Sequence, residues 1–122
     1  MPHKQASTDT LAEIVVQGML EKKAHDIVII DLRDLTVSVT DIMIICHGDS
    51  DRQTDAIAQS VVEEVKKHTG ENPFSKEGFR EAQWILVDYI NVVVHVFKKE
   101  QREFYALEDL WADGKVTEIT TA

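Results

Sequence analysis

From Trp84 to Phe97 the chain reads Trp-Ile-Leu-Val-Asp-Tyr-Ile-Asn-Val-Val-Val-His-Val-Phe, two β-rich runs that fold back on each other if Ile90-Asn91 forms a two-residue turn. In that register Tyr89 opposes Val92, Asp88 opposes Val93, Leu86 opposes His95 and Trp84 opposes Phe97. Because side chains alternate along a strand, the hairpin has two unlike faces. Ile85, Val87, Tyr89, Val92, Val94 and Val96 make a nearly pure aliphatic face that predicts core. Trp84, Leu86, Asp88, Val93, His95 and Phe97 make a face of large apolar groups with a carboxylate and an imidazole, the composition of an interface centre. The competing reading is that helices cover both faces and that His95 bonds to Asp88 or to the backbone.

The number of helices weighs against the second reading. Ser7-Thr8-Asp9-Thr10 offers N-caps before Leu11, Ile14, Val15, Gly18 and Met19, an apolar stripe at helical spacing that ends near Glu21. Asp26–Asp31 and Asp41–His47 are short, β-branched and apolar, and predict strands joined by a connection from Leu32 to Thr40. Ser50 and Gln53 form a capping box, worth about 1 kcal/mol, at the head of a second helix with Ala56, Ile57, Val61 and Val65 on one side. Lys66-Lys67-His68 suit the negative end of that helix, and Gly70 stops it. Asn72 to Gly78 predicts a surface loop, and Glu100 to Trp111 a last helix with Phe104, Leu107, Leu110 and Trp111 along one stripe. The fold class that follows is α+β (α/β): a small mixed sheet of four or five strands, with helices mainly on one face. The other face, or its last hairpin, is left for the short final helix or for a partner.

At 122 residues the chain predicts one domain, with residues 1–7 as a flexible N-terminus, 8–111 as the folded unit and 112–122 as a tail. Its single cysteine, Cys46, lies in an apolar run and suits a reducing, cytoplasmic setting. No run of roughly 18 apolar residues predicts a membrane span. The formal net charge of −9 opposes direct nucleic-acid binding as the main activity, because phosphates would be repelled, and favours a basic protein partner.

Little in the chain carries catalytic chemistry. Gly48-Asp49-Ser50-Asp51 at a helix start is similar to the phosphate-binding end of a nucleotidyltransferase, but the paired carboxylates that such an enzyme needs on the next strand are absent. An enzyme would have to use a non-standard acid set from Asp49, Asp51 and Asp88. His3, His25, His47, His68 and His95 are scattered and predict no metal site.

The segments Asp26–Arg33, Thr40–Cys46, Gly48–Gln53, Gly78–Glu81, Trp84–Tyr89, Val92–Phe97 and Arg102–Trp111, taken in order, resemble the ribosomal silencing factor RsfS, or Iojap, family. The resemblance implies a nucleotidyltransferase-like fold without catalytic carboxylates, no reaction and no cofactor. It implies binding to ribosomal protein L fourteen of the large ribosomal subunit, steric exclusion of the small subunit, and repressed translation when nutrients run short. The hairpin register places the contact on Trp84, Leu86, Asp88, His95 and Phe97, with Trp84, Leu86 and Phe97 as desolvated anchors and Asp88 as an acceptor. A homodimer using the same face would compete with ribosome binding. Two positions depart from the family pattern: Asp49 stands where Thr is usual, and Ile90 stands where Gly is common. A β-branched Ile90 resists positive φ and predicts a different or longer turn.

Overall fold

Ser7 accepts the Thr10 amide hydrogen on its hydroxyl and so caps helix α1 (Thr8–Glu21). The computed structural model describes residues 7–36 and 39–120, so the expected flexible N-terminus falls, apart from Ser7, outside the described residues. Strand β1 (His25–Asp31) pairs antiparallel with β2 (Ile42–Gly48). Helix α2 (Asp51–Thr69) then crosses back over the sheet. Strand β3 (Ser75–Glu77) leads into the hairpin of β4 (Trp84–Asp88) and β5 (Val92–Lys98). Two short helices, α3 (Lys99–Tyr105) and α4 (Leu107–Leu110), precede strand β6 (Lys115–Glu118).

The six strands form one mixed sheet in the order β3-β4-β5-β2-β1-β6, with β2 and β5 parallel and the other pairs antiparallel. The apolar run of β2 occupies the centre, and all seven of its residues are buried because both sheet faces are covered there. Helices α1 and α2 lie together on one face. They bury Leu11, Val15, Met19, Ile57, Val61 and Val65 against Ile44, Cys46, Ile85, Val87, Val92, Val94 and Val96. Gly18 lets the two helices touch, since a Cβ there would stand 2.8 Å from the Val61 Cα. The Ser60 hydroxyl donates to the Gly18 carbonyl at 2.7 Å across the same crossing. Cys46, sealed in this layer, has its thiol pushed up to about 12 by burial.

The α2 cap forms half as the sequence predicts. Ser50 Oγ accepts from the Gln53 amide at 3.1 Å, but the Gln53 side chain accepts from the Asp49 amide, not that of Ser50. Its Nε2 also donates to the carbonyls of Lys22 and Lys23, tying the end of α1 to the start of α2. Three further expectations are corrected. Part of the expected 72–78 loop is edge strand β3, part of the expected 112–122 tail is edge strand β6, and the expected last helix breaks at Ala106, whose φ of 45° is left-handed. The break leaves Phe104 and Leu110 exposed and turns Leu107 and Trp111 onto the second sheet face.

Candidate docking site

The second sheet face is built in two halves. Over β1 and β2, Val28, Ile30, Leu32, Met43 and Ile45 are covered by Leu35, Leu107 and Trp111. Among the described residues the cover ends beyond β5, and Trp84, Leu86 and Asp88 on β4 are only half-buried. The hairpin pairs Trp84 with Phe97, Leu86 with His95 and Asp88 with Val93, the register read from the sequence. Beside it, β3 sets Glu77 opposite Leu86 and Ser75 opposite Asp88, so a carboxylate and a hydroxyl join the same face.

The five predicted site residues thus share one face but occupy different depths. Phe97 is 0% exposed and His95 5% exposed, so these two form the floor; Trp84, Leu86 and Asp88 reach the surface. Trp84 stacks on Phe97 with ring centres 5.1 Å apart and meets Tyr105 at 4.5 Å. Tyr105 in turn packs edge-on against Phe104 at 5.1 Å. Phe104 is 79% exposed and Tyr105 47%, so an aromatic row runs from the sheet onto α3 and ends in solvent.

A buried polar pair supports this row. The Trp84 indole N–H donates to His95 Nδ1 at 3.0 Å. An indole nitrogen only donates, so Nδ1 is unprotonated and the neutral ring carries its hydrogen on Nε2. Burial, opposed in part by the charge of Asp88, pushes the imidazole down to about 4. Asp88 Oδ1 accepts from the Ile90 amide at 2.7 Å, which tethers the carboxylate to the hairpin turn at the rim of the face.

Sequence reasoning missed Tyr105, Glu77 and Arg102. Arg102 is buried and pins α3 to the sheet: Nη1 donates to the Asp26 carbonyl at 2.7 Å and to His47 Nδ1 at 3.0 Å, and Nε pairs with Glu108 at 2.6 Å. A lone arginine in a polar helix reads as solvent-facing, so no periodic signal marks it. Tyr105 was detectable only as an aromatic beside Phe104, and Glu77 only once β3 is known to pair with β4.

The acid set that an enzyme would need is not brought together. Asp49 pairs with His25 at 2.9 Å, and Asp51 with Lys98 at 3.2 Å, at the Gly48 end of β2. Asp88 lies beside Val93, which pairs with Met43 at the other end of that strand. Among the described residues, no helix is long and apolar enough to cross a membrane.

Residues 4–122 match the family described as ribosomal silencing factor during starvation, RsfS. A ribosomal silencing factor of Bacillus subtilis is 40% identical over 113 residues, covering 90% of this chain and 92% of its own length. The mouse mitochondrial assembly of ribosomal large subunit protein 1 is 31% identical over 102 residues, 81% of this chain and 44% of the mouse protein. The crystal structure of a Chromobacterium violaceum protein superposes with a TM-score of 0.83 at 32% identity, covering 96% of both chains. The sheet, the paired helices and the aromatic hairpin described above therefore belong to a member of the RsfS family of ribosomal silencing factors.

Proposed function

We propose that this chain docks through its open half-sheet on ribosomal protein L fourteen of the large ribosomal subunit and excludes the small subunit by occupying the joining surface, lowering translation under starvation. The observation that carries this reading is the row Trp84, Tyr105 and Phe104, which leads from a buried floor to solvent on the same sheet face whose further rows carry Glu77 and Asp88. Rigid aromatics on a face that also carries carboxylates suit a basic protein surface, with the aromatics as desolvated anchors and Asp88 accepting from a cationic or hydroxyl group. A net charge of −9 directs the chain to such a protein and away from the surrounding RNA. The name of the mouse relative, which concerns assembly of a ribosomal large subunit, favours the same subunit. A second copy of the chain would compete for this face, so a dimer and the ribosome-bound form exclude each other.

Sedimentation with separated subunits tests the proposal. The protein should travel with the large subunit and reduce the yield of joined ribosomes. Trp84→Ala should weaken binding by about 2 kcal/mol. Because Trp84 also stacks on Phe97, Phe104→Ala serves as a second variant that removes surface without disturbing the floor. Wild-type protein remaining at the top of a low-salt gradient would overturn the reading.

A further inference from the structure

The floor of the docking face holds one polar atom without a role. His95 Nε2 has less than 1 Å² of surface and no hydrogen-bond partner among the described residues, although the bond from Trp84 to Nδ1 leaves the ring hydrogen there. Buried donors in folded proteins are nearly always satisfied, and an orphan is costly enough to need an explanation. A leucine or phenylalanine would fill the same space without that orphan, although it would give up the acceptor for the Trp84 indole. On the strand, His95 lies in a cross-strand row with Leu86 and Glu77, and the next row holds Val93, Asp88 and Ser75. Leu86, half-buried and directly opposite His95, is the neighbour on the open side of the face.

We propose that His95 is a specificity-determining donor whose Nε2–H is completed by a neutral oxygen, a main-chain carbonyl, of the docked protein once the Leu86 side chain gives way. This rests on the docking reading above and adds the chemistry of the contact. The acceptor is neutral because a carboxylate would sit between Glu77 and Asp88 and be repelled by both. Rows on one strand face are about 7 Å apart, the same interval at which an extended segment repeats. The matching partner is therefore an extended segment that offers a cationic or hydroxyl donor to Asp88 and, two residues along, a carbonyl to His95. Trp84 holds the imidazole in the tautomer that donates, which makes the indole a positioning group as well as an anchor.

The test compares the full chain with His95→Phe and His95→Gln in titrations against isolated large subunits, with thermal unfolding of each free protein. Phenylalanine keeps a planar ring over Phe97 and removes the orphan, but it also takes away the acceptor of the Trp84 indole N–H, so its Tm should stay close to the wild-type value. Its affinity should fall about tenfold, the worth of one buried hydrogen bond. Glutamine can accept from Trp84 and still donate, and should recover part of the loss. Wild-type affinity in His95→Phe, or a Tm lowered in step with affinity, would overturn the inference while leaving the docking reading intact. Failure of the wild-type chain itself to bind would overturn both.

Discussion

Ile90 occupies a backbone position that its side chain opposes. Its φ is 75°, and the Asn91 amide donates to the Tyr89 carbonyl across it at 3.0 Å, a three-residue γ-turn between the hairpin strands. The sequence predicts that a β-branched residue there changes or lengthens the turn; the turn does change type, but Ile90 takes the positive φ and the pairing of Tyr89 with Val92 holds. The surrounding bonds fix it: Asp88 accepts its amide hydrogen, Thr40 donates to its carbonyl at 2.7 Å, and the Asn91 side chain donates to Thr8 at 2.9 Å. Ile90→Gly should therefore stabilise the fold by about 1 kcal/mol, relief of strain outweighing the added freedom of the unfolded chain. Chemical denaturation checks this, and a lower midpoint would mean that the isoleucine side chain contributes packing. His95 supplies a pH dependence of opposite character. Its folded value near 4 lies below the ordinary 6.5, so the unfolded chain binds more protons between those values. Its contribution is complete above pH 6.5 and is lost as pH falls toward 4, on the order of 3 kcal/mol in all. The difference in stability between wild type and His95→Phe across that window should show this loss, and parallel curves would refute it.

Among the elements, those that bury a periodic apolar stripe were legible and those held by backbone pairing or by one charge were not. Helices α1 and α2 carry caps, stripes and, for α2, a terminal glycine, and the β4–β5 register follows from alternation. Strands β3 and β6 read Ser-Lys-Glu and Lys-Val-Thr-Glu. Edge strands of this kind bury almost nothing, and charged residues there discourage pairing with other chains. The α3–α4 break was hidden because Phe104, Leu107, Leu110 and Trp111 do keep helical spacing. Arg102 determines the geometry instead, by anchoring α3 over the end of β1 where Asp26 has a positive φ of 48°. Arg102→Ala would leave Glu108 and the Asp26 carbonyl without their cation and free both short helices. A loss of about 3 kcal/mol in denaturant unfolding is expected, with tryptophan fluorescence becoming more accessible to a soluble quencher as Tyr105 leaves Trp84 and Trp111 lifts from the sheet. An unchanged quenching profile would show that Leu107 and Trp111 alone hold the helices down.

Across the whole molecule, cover is distributed unequally over the two faces of one sheet. One face is closed by α1 and α2, and among the described residues the other is closed only over β1 and β2, so the β3–β4 end is left open without weakening the core beneath it. The composition of the hairpin indicated the unlike faces, but the exact limit of the cover depends on Ala106 and on edge pairing that no local pattern encodes. The candidate site was accordingly legible as a face and not as a depth: Phe97 and His95 are floor, whereas Tyr105 and Phe104 complete the surface. Charge acts at this same scale. With a net −9 spread over 122 residues, encounter with a basic ribosomal protein should be electrostatically steered. The association rate with large subunits should fall by about tenfold or more as salt rises from 0.05 to 0.5 M, on the order expected when screening shortens below 10 Å, while dissociation changes much less. Glu77→Lys, at the edge of the open face, should lower the association rate and flatten its salt dependence without altering thermal stability, because Glu77 is exposed and makes no ion pair among the described residues. Stopped-flow mixing with labelled subunits separates the two rates; an association rate indifferent to salt would mean that the acidity serves solubility and that apolar contact alone guides the encounter.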